Sequence, residues 1–306
     1  MVIPAAHTNG IGAVHRTDTP RSLPRLMKLG QLLDEWQEDA QAAFDARVNG
    51  IARGPVTGLA KLDAILGGVL QPGAHFIHAG PGVGKTALAL QIAAGCGFPA
   101  LYVSCEMKML ELFRRITARV TDTYLGRLKS GEIAPADSLT LARRACAAAP
   151  ELALADATQA FADFGWIQTA ALATQGQARH VLVVVDSLHS WAEGAPGGLT
   201  EYDALNAGVA TLRTIASALG CPVLVVAERN RVSMKSGGMN AGAGTRKIEY
   251  GGESVIGLSD ERNGTAPIAL PSETNITLKV EKNRNGAAGQ TVDLFFHGAL
   301  QRFREA

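Results

Sequence analysis

The chain has 306 residues, of which 47% are hydrophobic, and a formal net charge of +1. This length allows one large core, or one core with a small appendage, and the charge excludes a polycation, so any nucleic-acid surface must be local. No apolar run reaches the roughly 18 residues of a membrane span, so we expect no membrane association.

The first 53 residues are predicted to lie outside the main fold. Residues 1–25 lack an apolar segment of signal-peptide length, and their Pro, Gly, Thr and Arg content predicts a flexible tail. Residues 26–53 predict an amphipathic linker helix followed by a Gly/Pro-rich linker, because apolar residues recur at helical spacing between Leu29 and Phe44. This apolar stripe must be buried, either on its own domain or on a neighbouring subunit.

Strands and helices alternate over residues 54–306, which we expect to form one domain. Strands are predicted at 74–79, 99–104, 152–156, 180–187, 221–228, 251–259, 275–283 and 290–297, and helices at 85–95, 107–120, 137–148, 163–177 and 200–219. Short Val-rich runs with helices between them predict a mostly parallel sheet with helices on both faces. Short Gly-rich turns between the last strands predict an antiparallel C-terminal edge.

The four cysteines are not at metal-ligand spacing, and each lies among apolar residues. We therefore expect small core residues in a reducing, cytoplasmic setting. They are Cys96, Cys105, Cys146 and Cys221.

The segment AGPGVGKT, residues 79–86, has the spacing of a phosphate loop, the term used below for these residues. Its glycines let backbone N–H groups turn toward anionic oxygens, which the start of the next helix also favours. Lys85 is predicted to reach the terminal phosphates and Thr86 to ligate Mg²⁺, which a simple Gly-rich turn would not explain. The predicted ATP-binding residues are Ala79, Gly80, Pro81, Gly82, Val83, Gly84, Lys85, Thr86 and Ala87.

Three carboxylates end predicted strands, and the carboxyl ends of parallel strands lie on the ligand side of such sheets. Asp186 is the predicted second Mg²⁺ ligand, although such an Asp can also cap the following turn. Glu106 is the predicted general base for water, although it can also stabilise a helix N-terminus. Glu228 is predicted to face the same crevice.

These segments together resemble the ATPase domain of DnaB-type replicative helicases, within the RecA-like superfamily. The resemblance runs in order through GPVTGLAKLDAILGGVLQPG (54–73), SCEMKMLELFRRI (104–116), VVVDSLHS (183–190), VLVVAERNR (223–231) and LKVEKNRNGAAGQTVDLFFHGALQRF (278–303). It implies an α/β P-loop NTPase of the RecA-like fold, with Glu106 on the catalytic glutamate and the helix at 26–47 in the place of that family's linker helix.

The resemblance also implies a role for the turn KNRNG, residues 282–286, called the basic turn below. In that family this turn projects into the nucleotide site of the next subunit, so Lys282 and Arg284 would contact a neighbour's γ-phosphate. Two fixed cations stabilise charge on the transferred phosphoryl group. Without the resemblance, a basic hairpin tip facing solvent is the simpler interpretation. The implied partners are further copies of the chain, in a ring expected to be a hexamer.

Two positions depart from the family pattern. Glu228 replaces the usual Gln sensor, and a carboxylate there would be repelled by a γ-phosphate unless protonated or paired with Arg229 or Arg231. His189 replaces another Gln and is a second sensor candidate, although a loop His is more often a surface residue.

Residues 229–248 hold basic side chains and glycines but no acidic residue. We expect a mobile loop that binds the backbone of single-stranded DNA, although a solvated surface loop would have the same composition. The predicted DNA-binding residues are Arg229, Arg231, Lys235, Arg246 and Lys247.

The functional prediction is an ATP- and Mg²⁺-dependent, ring-forming helicase or translocase on single-stranded DNA. The alternative is a DNA-dependent ATPase that acts as a recombination mediator or nucleotide-switched loading protein without unwinding. A RecA-like ATPase that acts on protein is a third hypothesis.

Overall fold

The computed structural model describes residues 26–228, 251–260 and 272–306. The chain divides into two units, residues 1–49 and 50–306. In the first unit, a 3₁₀ turn at Leu29–Leu32 leads into helix α1, Leu33–Val48. The apolar side chains of this helix, Trp36 and Phe44 among them, are exposed. The tail predicted at residues 1–25 lies outside the described residues.

A nine-stranded sheet forms the centre of the second unit in the part of the chain that the structure describes. The strands are β1 Gly73–Ala79, β2 Ala100–Ser104, β3 Leu152–Asp156, β4 Leu182–Asp186, β5 Pro222–Glu228, β6 Ser254–Ser259, β7 Thr274–Asn283, β8 Thr291–His297 and β9 Arg302–Glu305. Their order across the sheet is β3-β2-β4-β5-β1-β6-β7-β8-β9. Neighbours from β3 to β6 are parallel, and the remaining pairs are antiparallel. The predicted parallel sheet with an antiparallel C-terminal edge is confirmed.

Helices cover both faces of this sheet, as predicted. They are α2 Ala60–Ile65, α3 Lys85–Gly95, α4 Met109–Thr121, α5 Arg127–Ser130, α6 Pro135–Ala148, α7 Phe164–Gln175, α8 Leu188–Glu193 and α9 Glu201–Leu219. One apolar core joins the sheet to α2, α3, α4 and α6, and a second joins it to α7, α8 and α9. Side chains alternate between the two cores along β4: Leu182 and Val184 enter the first, Val183 and Val185 the second.

Short elements account for most of what the sequence pattern missed. Helices α2, α5 and α8 and strand β9 have only 6, 4, 6 and 4 residues. Segments of this length contain too few turns or alternations to show a period.

The prediction for the cysteines holds only in part. Cys96 and Cys221 are buried, but Cys146 is exposed on α6. Its neighbour Ala145 carries the buried face of that helix, so the apolar sequence context of Cys146 was misleading.

The register of the sheet brings the candidate site residues to one edge. Ala79 pairs with Glu228, and Ser104 pairs with Asp186, so four parallel strands end at the same level. None of the helices in the described part of the chain has the length and apolar composition that a membrane span requires.

Candidate active site

The phosphate loop connects β1 to α3, as predicted. Gly82 and Gly84 have φ angles of 81° and 102°, in the left-handed region that favours glycine. A Cβ atom on Gly84 would lie 2.8 Å from Cζ of Phe303 and 3.2 Å from Cε1 of Phe296. These stacked rings therefore support the loop from beneath and leave no room for a side chain.

Lys85 begins α3 and is held against the loop that precedes it. Its Nζ atom donates hydrogen bonds of 3.0 Å to the carbonyl oxygens of both Ala79 and Gly80. Burial lowers the pKa of Lys85, while the carboxylates of Glu228, Asp186 and Glu106 oppose that shift. The ammonium group is thus placed among the three predicted carboxylates.

Asp186, at the end of β4, is buried and 4% exposed. Burial raises its pKa, and hydrogen bonds from Tyr102 and Thr86 act in the opposite direction. The peptide bond that follows it is cis. The two predicted metal-binding residues, Thr86 and Asp186, are therefore brought together by a hydrogen bond between their side chains.

These two side chains suit Mg²⁺, which prefers oxygen ligands. No cluster of three His, Cys, Asp or Glu side chains that could hold a metal occurs within the described ranges. Mg²⁺ commonly combines one or two protein oxygens with waters and substrate phosphates, so a hydroxyl and a carboxylate beside a phosphate loop fit that pattern.

Glu106 lies two residues after the end of β2. Its Oε1 atom accepts hydrogen bonds from the hydroxyls of Ser187 and, over 2.9 Å, Ser190. The carboxylate itself is exposed. It is therefore oriented by two hydroxyls while remaining accessible, which suits a group that accepts a proton from water.

Glu228 and His189 meet through the backbone. The backbone N–H of Glu228 donates to Nδ1 of His189 over 3.3 Å. The side chain of Glu228 lines the same cleft as Lys85. His189 lines a separate cavity of about 360 Å³ between α8 and α9 instead, so in this structure it reaches the cleft through Glu228.

Lys85, Thr86 and the three carboxylates border one cleft of about 360 Å³, which His189 does not line. This volume is within the range of small-molecule sites, about 300–1,000 Å³. Its lining consists of Pro81, Gly82, Gly84, Lys85, Thr86, Ala87, Glu106, Met107, Arg115, Asp186, Ser187, Val226, Glu228, Phe296 and Gln301. The cleft therefore combines the phosphate loop, two cationic side chains and three carboxylates at one sheet edge.

The chain matches the model of the DnaB-like helicase C-terminal domain over residues 54–305. It is a member of the DnaB-like helicase C-terminal domain family.

Curated relatives and solved structures agree with this membership. The chain is 27% identical to the replicative DNA helicase DnaB of Treponema pallidum (strain Nichols) over 264 residues, 82% of this chain and 56% of that protein. It is 28% identical to the DNA repair protein RadA of Mycobacterium tuberculosis (strain CDC 1551 / Oshkosh) over 252 residues, 79% of this chain and 41% of that protein. The chain thus spans about half the length of the curated relatives it matches. A solved DnaB-like replicative helicase shares the fold, with a TM-score of 0.71 and 17% identity over 92% of this chain and 67% of that one.

Two residues of the cleft, Arg115 and Gln301, were not predicted from the motifs. Arg115 projects from α4, and its guanidinium donates to Oε1 of Gln301. Its buried Nε atom lies 3.6 Å from Oε1 of Glu111, but it has no hydrogen-bond partner in the described part of the chain. The sequence position of Arg115 did not indicate that it lines the cleft, because α4 comes close to the phosphate loop only in the folded protein.

Tyr102 is the third unpredicted residue, and it lies under the cleft rather than in its wall. Within β2 it resembles an ordinary core side chain, yet its phenol is directed at Asp186. The available signal was that the hydroxyl of a buried tyrosine usually has a hydrogen-bond partner.

The basic turn of this family member lies away from the cleft. Lys282 and Arg284 are not among the described residues that line the cleft. Arg284 forms an ion pair of 3.1 Å with Glu253, and its backbone N–H donates to the Glu253 carbonyl. The predicted DNA-binding residues, Arg229 to Lys247, lie outside the described residues.

Proposed function

We propose that this chain is an ATP-hydrolysing, ring-forming helicase or translocase on single-stranded DNA, of the DnaB-like type. Its ATP sites would lie between subunits, each completed by the basic turn of a neighbour. The ring would contain six copies, each with ATP and Mg²⁺ as predicted from the phosphate loop.

The position of Arg284 is the observation that carries this proposal. The phosphate loop follows Ala79 at the carboxyl end of β1, whereas Arg284 is bonded to Glu253, whose N–H donates to Ala74 at the other end. Five strand residues separate these levels by roughly 17 Å. An arginine side chain cannot span this distance, so the basic turn would act on the cleft of another copy.

Within one cleft, the residues divide the chemistry between them. The phosphate loop would bind the phosphates, and Lys85 would leave its two carbonyl partners for the terminal phosphate. Glu106, oriented by Ser187 and Ser190, would take the proton from the water that attacks the γ-phosphorus. Mg²⁺ held by Thr86 and Asp186 would offset negative charge on the phosphates.

Helix α1 would contribute to the same assembly. It carries exposed apolar side chains along its length, Trp36 and Phe44 among them. Such a stripe would be buried in a ring if it docked on the neighbouring copy. A Trp36→Glu variant should then lower the assembled fraction in sedimentation velocity without changing the secondary structure.

The decisive experiment is an Arg284→Ala variant tested with and without single-stranded DNA. We expect ATP binding to survive and DNA-stimulated turnover to fall about 1,000-fold or more, because the transition-state charge loses its fixed cation. Arg127→Ala is the matched control, since Arg127 is also an exposed, ion-paired arginine. Unchanged turnover in the Arg284 variant would remove the proposal.

The alternative is a recombination mediator or loading protein that binds DNA without unwinding it. The similarity to RadA, named as a DNA repair protein, favours keeping this candidate. Strand displacement on a forked duplex separates the two, because only a translocating ring would release the displaced strand. A salt titration of DNA binding tests a third hypothesis, action on protein, since phosphate contacts weaken steeply with salt.

A further inference from the structure

The side chains of His78 and Glu281 form a contact across strand β6, which lies between their own strands. Nε2 of His78, in β1, lies 2.8 Å from Oε2 of Glu281, in β7. Strand β6 lies between these two strands in the sheet. The His78 side chain is only 6% exposed and that of Glu281 is 30% exposed, so this contact is partly shielded from water.

Gly257 makes the contact possible. It pairs with His78 on one side and with Lys279 on the other. A Cβ atom at Gly257 would lie 2.7 Å from Oε1 of Glu281 and 3.2 Å from Cε1 of His78. The two side chains therefore occupy the space above β6 that the side chain of any residue other than glycine at position 257 would need.

Glu281 is also the extra residue of a β-bulge. Val255 pairs with Lys282 and Ile256 with Val280, so the register shifts at Glu281. Bulges re-aim the side chains that follow them. The residues immediately after Glu281 are those of the basic turn. The direction of Lys282 and Arg284 therefore depends on the bulge as well as on the contacts of Arg284 with Glu253.

The His78 ring has few other constraints. Within the described residues, its Nδ1 atom is buried and has no hydrogen-bond partner. The hydrogen bond to Glu281 is thus the polar contact that orients this ring. His78 directly precedes Ala79, whose carbonyl oxygen accepts a hydrogen bond from Lys85.

We propose that His78 and Glu281 form a positioning pair that links the phosphate loop of one copy to its own basic turn. The pair holds the bulge, the bulge aims Lys282 and Arg284, and these serve the neighbouring copy. A nucleotide that draws Lys85 away from Ala79 acts on the strand end beside His78. This inference rests on the proposed function, because it requires the basic turn to act in trans.

Mixed assemblies test the pair, because they separate the copy that offers a cleft from the copy that offers a basic turn. A Lys85→Ala copy has an inactive cleft and an intact basic turn, whereas an Arg284→Ala copy has the reverse. Each should be inactive alone, and mixing them should restore turnover in the intact clefts. Absence of any recovery would show that the basic turn does not act in trans, and both the proposed function and this inference would fall.

With recovery established, His78→Leu is placed in one copy at a time. We expect about a tenfold loss of recovered kcat, with little change in KM, when the variant is in the copy that offers the basic turn. In the copy that offers the cleft, the same variant should change kcat less than about twofold. Equal losses in both copies, or no loss in either, would overturn the inference while leaving the trans arrangement intact.

Three further variants separate positioning from a loss of stability. Glu281→Ala removes the acceptor at a more exposed position and should reproduce the His78→Leu pattern. His78→Gln, which keeps an N–H donor near Nε2, should restore most of the recovered rate. His75→Leu is the matched control, since His75 is a buried β1 histidine bonded to Ser254 and Gln71 rather than to β7. A loss in the His75 variant equal to that in His78→Leu would contradict a specific role.

Discussion

The phenol of Tyr102 donates a hydrogen bond of 2.6 Å to Oδ2 of Asp186. Burial, and then the charge of Asp186, raise the pKa of this phenol well above its usual value, so it remains a donor. The bond fixes one carboxylate oxygen of Asp186 and determines the orientation of the other. Groups that orient a metal-binding carboxylate in this way commonly set the affinity of the site.

A Tyr102→Phe variant should therefore need more Mg²⁺ for the same activity. We expect the Mg²⁺ concentration for half-maximal ATP turnover to rise about tenfold, with the rate at saturating Mg²⁺ nearly unchanged. The measurement is a Mg²⁺ titration of turnover at saturating ATP. Tyr124→Phe, at an exposed position, is the control. An unaltered Mg²⁺ requirement would show that the phenol only fills space.

A Gly84→Ala variant should lose both stability and nucleotide binding. Its Cβ would meet the ring of Phe303 at 2.8 Å, and alanine would have to adopt a φ of 102°. We expect the free energy of unfolding to fall by about 3 kcal/mol, from overpacking and backbone strain together.

Urea unfolding measures this loss, and a fluorescent ATP analogue measures binding. Gly95→Ala is the matched control at the other end of α3, because no described atom outside the adjoining helix backbone lies within 4 Å of its Cβ position. It should be neutral or slightly stabilising. Equal stability of the two variants would mean that the phosphate loop can move away from Phe303 at little cost in free energy.

Most of the strands and the phosphate loop could be predicted because their signals are local. The Val-rich run before Asp186 identifies a buried strand, and the glycines with Lys85 identify the loop that binds phosphates. Helix α3 was predicted at its observed bounds, 85–95. Local patterns of this kind need no knowledge of which elements become neighbours.

The partners of the site residues could not be predicted, because they are distant in sequence. Tyr102 and Asp186 are separated by 84 positions, and His78 and Glu281 by 203. Such contacts depend on the strand order and on a glycine at the right register. A polar side chain within an apolar strand, such as His78, indicates a polar contact in the fold. The sequence alone does not identify the partner.

A pH dependence of stability should arise at His75. Burial lowers the pKa of its imidazole, which is bonded to Ser254 and to the carbonyl of Gln71. Below the unfolded pKa of about 6.5 the unfolded chain binds a proton that the folded chain resists, so stability falls as pH falls. Above that pH the histidine is neutral in both states and its contribution no longer changes.

His75→Gln should remove this part of the pH profile. Wild type should lose up to about 1.4 kcal/mol of unfolding free energy per pH unit more than the variant between pH 6.5 and 5.5. Urea unfolding of both proteins from pH 5.5 to 7.5 checks the difference, which also cancels contributions from other titrating groups. Parallel profiles would show that His75 accepts its proton in the folded state.

Arg115 should contribute to ATP binding although no motif identified it. Its guanidinium lines the cleft beside the phosphate loop, and its Nε atom is buried without a hydrogen-bond partner in the described part of the chain. A nucleotide phosphate in the cleft would accept hydrogen bonds from the guanidinium. Arg115→Met keeps the length of the side chain and removes the charge, so we expect KM for ATP to rise about tenfold while kcat changes less than threefold or so.

Arg114→Met is the control, because Arg114 is the preceding residue of α4 and also lies near Glu111, yet it is not among the described residues that line the cleft. Steady-state kinetics on both variants separates the effects: a matching rise in KM for Arg114→Met would assign the effect to α4 as a whole, and an unchanged KM for Arg115→Met would remove Arg115 from the site.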